Sequence, residues 1–240
     1  MKEIEQAVIL AGGRGERLRP LTDKVPKPMV MVRDKPFLEH LVVLLKEHGI
    51  KNYLFLVGYL GNLIRDYFDD GHKWGITITY SFEEKPLGTG GALRLAKTHL
   101  EENFFLLFGD SYLPIDYRLM AKDFLVSERK VFLAVYDNSC DTNVPFNIKL
   151  NNSKHIVVAY NKKKDNPADF NYCDAGVIAV SREVVKLIEG ADPISFEEVI
   201  YPRLIKMEQL GYYIAEKRFY DIGTIERLKI FEQYLSHKIK

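Results

Sequence analysis

Apolar and polar positions recur with two different periods along this chain, and the switching between them predicts a layered α/β fold. Val8-Ile9-Leu10 is a short apolar run read as a strand. From Phe37 to His48 apolar residues at 37, 38, 41, 42, 44 and 45 mark one face of a helix, and Gly49 supplies its stop. Tyr53-Leu54-Phe55-Leu56-Val57 follows as a buried strand. A helix is expected over about 60–68, an alternating strand over 76–80, a helix over 91–100, and over 104–108 a strand apolar on both faces. Such a strand belongs in the interior of a covered sheet. Strands alternating with helices in this way build an α/β sandwich around a mostly parallel sheet. Ligands of open sheets bind beyond the carboxyl ends of the strands, and Gly109-Asp110 stands at one such end.

The pattern changes character after about Asp116. Strands are predicted near 131–136, 147–150, 156–160 and 175–180, and helices near 182–188 and 196–209. Asn161-Lys162-Lys163-Lys164-Asp165-Asn166-Pro167 reads as a basic loop between strands. No internal repeat or low-complexity tract interrupts the chain, so residues 1–240 are expected to form one domain with halves at 1–116 and 117–240. A last helix is expected over about 225–237 with Thr224 as its N-cap, which fixes Asp221 just outside a helix start.

Composition narrows the class of protein. A chain of 240 residues, 47% hydrophobic, has ample material for a buried core. A formal net charge of +1 argues against nucleic acid or an anionic membrane as partner and points to a small anion. A homodimer is compatible with this balance. Met1 to Gln6 lacks the apolar core of a secretion signal, no stretch reaches the length of a membrane span, and a cytoplasmic protein is expected. The two cysteines, Cys140 and Cys173, have no metal-ligand spacing and read as packing residues of a reducing compartment. The six histidines form no ligand cluster.

Chemistry concentrates at the first strand's end. Leu10-Ala11-Gly12-Gly13-Arg14-Gly15-Glu16-Arg17-Leu18 runs on to Val25-Pro26-Lys27-Pro28. Three glycines in four positions let successive N–H groups face one point, a nest for a phosphate, and Arg17 and Lys27 add two cations. A P-loop would need Gly-Lys-Ser/Thr, and a dinucleotide fingerprint a third glycine where Leu18 stands. Leu-Ala-Gly-Gly-x-Gly-x-Arg-Leu followed by Pro-Lys-Pro instead resembles the activation loop of the sugar-1-phosphate nucleotidyltransferases, which make nucleoside-diphosphate sugars. Gly109-Asp110 and Asp221-Ile222-Gly223-Thr224 match further elements of that family in the same order. Among its members the chain is similar to the short kind acting on mannose-like hexose or heptose 1-phosphates, with GTP the expected triphosphate and UTP or dTTP the alternative.

The resemblance implies a Rossmann-like three-layer sandwich, a nucleotide-binding first half and a sugar-phosphate-binding second half. It implies Mg²⁺ held by Asp110 and Asp221, and a triphosphate held by Arg17 and Lys27; Arg14, at a variable position, ranks below Arg17. Leu10, Ala11, Gly12, Gly13 and Gly15 would line the nucleotide, with Glu83, Pro86 and Gly88 of Glu83-Glu84-Lys85-Pro86-Leu87-Gly88 around the base. Lys162 would hold the sugar phosphate, and Asn147, Asp174 and Gly176 would face the sugar, although the family usually carries Tyr-Gly and Asn-Ala-Gly where this chain has Phe146-Asn147 and Asp174-Ala175-Gly176. A phosphate nucleophile with a second pKa near 6 needs no general base. Each aspartate alone would equally suit a turn or a cap. A non-catalytic nucleotide-sugar sensor would be expected to lose Arg17, Lys27 or an aspartate, and all four stand. A nicotinamide enzyme would need an acidic residue where Val57-Gly58-Tyr59 ends the second strand.

Overall fold

A computed structural model describes residues 3–139, 142, 144–161 and 169–238. In chain order the elements are β1 (Gln6–Ala11), β2 (Met31–Val32), β3 (Lys35–Pro36), α1 (Phe37–Glu47), β4 (Asn52–Val57), α2 (Gly61–Phe68), β5 (Thr77–Phe82), α3 (Gly88–Leu95), β6 (Asn103–Phe108), β7 (Ser111–Tyr112), α4 (Tyr117–Ser127), β8 (Val131–Tyr136), β9 (Ile148–Asn151), β10 (Ile156–Tyr160), β11 (Cys173–Ser181), α5 (Phe196–Lys206), β12 (Leu210–Ile214), β13 (Tyr220–Asp221) and α6 (Ile225–Lys238).

Nine strands form one mixed sheet in the order β5-β4-β1-β6-β11-β8-β12-β10-β9. The run from β5 to β6 is parallel, as is β8 against β12, and β11 joins β6 and β8 antiparallel. Within that run β1, β4 and β6 bury residues on both faces. Ala7, Ile9, Phe55 and Leu107 pack with α1, α2, α4 and α6, whereas Val8, Leu54, Leu56 and Leu106 pack with α3 and α5. The three-layer α/β sandwich is therefore present, with β1, β4 and β6 as the doubly covered strands of its parallel run.

The structure adjusts the elements at several places. The helix expected at 91–100 is α3, which starts at Gly88 and stops at Leu95. The segment 182–188 is a 3-10 helix over Arg182–Leu187. Helix α4 was absent from the periodic reading; Asp116 caps it, its side chain accepting the N–H groups of Arg118 and Leu119. Strand β12 and the ribbon of β7 with β13 are likewise additions. Cys173 is buried, as its packing role requires, and Cys140 lies outside the described residues. Among the described residues no helix is long and apolar enough to cross a membrane.

Candidate active site

The parallel run ends all its strands at one edge, and the loops that leave them build the site. β1 hands over to Gly12, β4 to Gly58, β5 to Glu83, and β6 to Gly109 and Asp110. Gly109 donates its N–H to the Leu10 carbonyl at 2.9 Å, which fastens the β6 end to the β1 end. β11 runs the other way, with Val177 opposite Leu107, so its Asp174-Ala175-Gly176 start reaches the same edge.

A cavity of about 370 Å³ opens there, lined in part by Leu10, Ala11, Gly12, Gly13, Lys27, Glu83, Pro86, Gly88 and Asp110. Gly12, Gly58 and Gly88 each sit where a side chain would crowd a neighbour. A Cβ on Gly12 would stand 2.7 Å from Glu83 Oε1, and one on Gly58 2.8 Å from the same atom. Gly88 has φ +75°, and a Cβ there would lie 2.4 Å from the Ile194 carbonyl oxygen. Glu83 Oε2 accepts the Leu87 N–H at 3.0 Å, holding the carboxylate at the cavity wall. Burial raises the Glu83 pKa above the ordinary glutamate range, opposed by that hydrogen bond. Lys27 is buried and forms an ion pair with Asp110 Oδ2.

A second cavity, about 220 Å³, adjoins the first through Asp110 and Phe108 and is lined by Arg17, Asp174, Gly176, Asp221 and Arg227 among others. The ribbon explains how the two aspartates meet. β13 pairs Asp221 with Ser111 of β7, and the Ile222 N–H binds the Asp110 carbonyl at 3.1 Å. Asp221 Oδ1 accepts the Gly223 N–H at 2.7 Å, and Arg227 Nη1 lies 3.0 and 3.2 Å from its two carboxylate oxygens.

Asp174 accepts the Gly176 N–H at 2.8 Å, and the Asn147 side-chain oxygen in turn accepts the Asp174 N–H at 2.8 Å. Burial pushes the Asp174 carboxyl up to about 7, with the nearby Glu197 carboxylate adding to the rise and the Gly176 N–H opposing it. Glu197 itself is buried and accepts the hydroxyls of Thr89 and Ser195.

Most of the residues expected from the sequence thus converge on two joined cavities. Arg17 lines the second cavity, beside the aspartates, whereas Arg14, ranked below it, lines the first and lies 5.9 Å from the centre of the Tyr59 ring. Gly15 lines neither cavity; at φ +64° it turns the loop, its carbonyl accepting the Thr22 hydroxyl. Asn147 lines neither cavity and serves to position the Asp174 backbone. Lys162 lies outside the described residues. Arg227 was missed: its only sequence signal is a cation in the first turn of a helix, where acidic residues are favoured.

The family model described as Nucleotidyl transferase matches residues 6–236. A D-glycero-alpha-D-manno-heptose 1-phosphate guanylyltransferase of Campylobacter jejuni is 31% identical over 222 residues, 92% of this chain and 96% of that protein. A mannose-1-phosphate guanylyltransferase of Mycobacterium tuberculosis is 29% identical over 92% of this chain and 61% of its own length. Among solved structures, HddC from Yersinia pseudotuberculosis complexed with GMP-PN superposes with a TM-score of 0.78 at 25% identity, covering 97% of this chain and all of that one.

Proposed function

The chain belongs to the nucleotidyl transferase family and is a sugar-1-phosphate nucleotidyltransferase, and from that premise we propose that it transfers GMP from GTP to a mannose-like hexose or heptose 1-phosphate. The observation that carries the reading is Glu83, a carboxylate fixed at the wall of the larger cavity by the Leu87 N–H. Guanine offers two adjacent donors, N1–H and the exocyclic amine, which one carboxylate accepts together. Uracil and thymine offer one donor between two acceptors, which a glutamine amide serves better.

In this reading the larger cavity takes the nucleotide. The glycine loop brings its N–H groups to the triphosphate, and Lys27 and Arg14 supply positive charge from its walls. The smaller cavity takes the sugar 1-phosphate, with Asp174 and the Gly176 backbone toward the sugar hydroxyls and Arg17 toward the phosphates. The sugar phosphate is already largely dianionic at neutral pH and attacks the α-phosphorus without a general base. The protein's task is alignment of the two phosphates and exclusion of competing geometries.

Asp110 and Asp221 suit a Mg²⁺ ion. They are hard oxygen donors facing one cavity, and Mg²⁺ commonly takes only one or two carboxylates, its other positions going to water and phosphate oxygens. Bound there, the ion would neutralise charge on the triphosphate and its pyrophosphate leaving group.

A panel of GTP, UTP, dTTP, CTP and ATP crossed with mannose, glucose and heptose 1-phosphates tests the assignment. GTP with a manno-configured substrate is expected to give the highest kcat/KM. A wild-type preference for UTP or dTTP would overturn the guanine reading and leave the transferase chemistry in place.

A further inference from the structure

Arg227 occupies a place that helix energetics disfavour. It is the third residue of α6, with its N–H donated to Thr224 Oγ1 at 3.3 Å, so its cation sits against the positive end of the helix dipole. Asp221, six residues before it at the end of β13, offsets that cost through contacts of 3.0 and 3.2 Å from Nη1 to its two carboxylate oxygens. A residue that breaks a local preference and is held in place by a dedicated partner marks a site where function constrains the sequence.

Its neighbourhood is the second observation. A Cβ built on Gly223 would lie 3.6 Å from Arg17 Nη2 and 3.6 Å from Arg227 Nη1, so two guanidinium groups approach the same glycine from opposite ends of the chain. Both line the smaller cavity, and Arg227 also lines an adjoining recess with Arg218. Lys27 already faces the Asp110 carboxylate, which leaves Asp221 as the carboxylate in contact with Arg227. Burial favours the neutral form of Asp174, the third carboxyl on this wall, so Asp221 alone stands among the guanidinium groups of Arg17 and Arg227 and the corner carries excess positive charge. A phosphate dianion offsets it, and a planar guanidinium meets phosphate oxygens in pairs.

We propose that Arg227 is a receptor for the phosphate of the sugar 1-phosphate, working across Gly223 from Arg17 and aimed by Asp221. The proposal rests on the assignment of the smaller cavity to that substrate. It differs from a purely structural role, in which Arg227 only orients Asp221, because losing an orienting contact alters kcat and the Mg²⁺ dependence rather than the affinity for one substrate.

The test is steady-state kinetics of Arg227→Met and Arg227→Lys, with the triphosphate and sugar 1-phosphate on which the wild type is most active in the panel above. Choosing the pair by activity lets the guanine assignment fail without disturbing this result. The KM for sugar 1-phosphate is expected to rise at least tenfold in Arg227→Met and to recover in part in Arg227→Lys, while triphosphate affinity measured by calorimetry without sugar phosphate stays within twofold. A sugar-phosphate KM within twofold of wild type overturns the proposal. So does a change confined to kcat and the half-saturating Mg²⁺ concentration, or an equal loss of triphosphate affinity. If Arg227→Met does not fold, the KM of Arg227→Lys decides by the same split, a rise of threefold or more supporting the receptor role and an unchanged KM ending it.

Discussion

Glu83 is the carboxyl group on which the proposed base selectivity rests. A Cβ on Gly12 or Gly58 would stand 2.7 or 2.8 Å from its Oε1, so the bare backbone at both glycines makes room for the carboxylate at the cavity wall. Losing a polar contact in such a site typically costs about 1–3 kcal/mol of discrimination. Glu83→Gln is accordingly expected to lower kcat/KM for GTP by about 10- to 100-fold relative to UTP, measured by competing the two triphosphates; an unchanged ratio removes Glu83 from base recognition. Burial raises its pKa, and only the ionised form accepts both guanine donors, so GTP use should decline on acidification sooner than an ordinary glutamate would dictate.

Asp174 shows the same effect of burial, and its environment favours the neutral form. With a folded-state value of about 7 against 3.8 for the unfolded chain, the native state binds the extra proton between those values. Stability is therefore lost as pH rises from about 4 to 7. Asp174→Asn, which is neutral throughout, is expected to raise Tm at pH 8 by about 2–4 °C, roughly 1 kcal/mol for a chain of this size, and to change it little at pH 4. Thermal melts at the two pH values check this. An equal effect at both would mean that the carboxyl is not held neutral.

At the scale of elements, the start of α3 ties the wall of the larger cavity to the segment before α5 in the same layer. Gly88 adopts φ +75°, and its N-terminal turn abuts Ile194, whose carbonyl accepts the Gly90 N–H at 2.8 Å. Gly88→Ala would place a methyl 2.4 Å from that same carbonyl oxygen, in a conformation that L residues avoid. A loss of at least about 2 kcal/mol in urea unfolding is expected. Gly13→Ala is the control: nothing lies within 4 Å of a Cβ there, so stability should hold while the nucleotide KM rises, because Gly13 lines the larger cavity. The glycines of this turn were legible as turning residues, but their inclusion in the helix was not, because the 3.6-residue pattern of apolar positions begins only at Ala92 and Leu93.

Other elements left weaker traces. β1, β4, β6 and β8 read directly because continuous apolar runs are what a doubly covered strand requires. β12 did not, since Gly211 interrupts its apolar run; a Cβ there would meet the Phe132 ring at 2.3 Å, a packing constraint that no periodicity encodes. α4 carried its signal in the Asp116 cap rather than in its pattern, as half of its surface is polar. The ribbon of β7 and β13 has two residues per strand, too few for any period, yet it alone brings Asp221 beside Asp110. Motif order made that pair legible; the contact between Asp221 and Arg227 depends on the ribbon and was not.

Across the whole molecule, the site is assembled from both ends of the chain: the loop after β1, the end of β6 and the turn before α6 meet around Asp110 and Asp221. That arrangement predicts two kinds of failure. Asp221→Asn keeps the Gly223 N–H contact and a neutral partner for Arg227, so its fold should survive. Asp110→Asn leaves the buried Lys27 ammonium facing an amide instead of a carboxylate, which costs roughly 1–3 kcal/mol on top of any catalytic effect. If both carboxylates hold Mg²⁺, each substitution removes charge stabilisation of several kcal/mol and kcat should fall by about 100- to 10,000-fold. Chelation with EDTA should abolish turnover of the wild type and added Mg²⁺ restore it. Circular dichroism and Mn²⁺ binding by paramagnetic resonance separate the two effects: a folded Asp221→Asn that binds Mn²⁺ as tightly as wild type and turns over normally would take Asp221 out of the metal site, leaving its ion pair with Arg227 as its role.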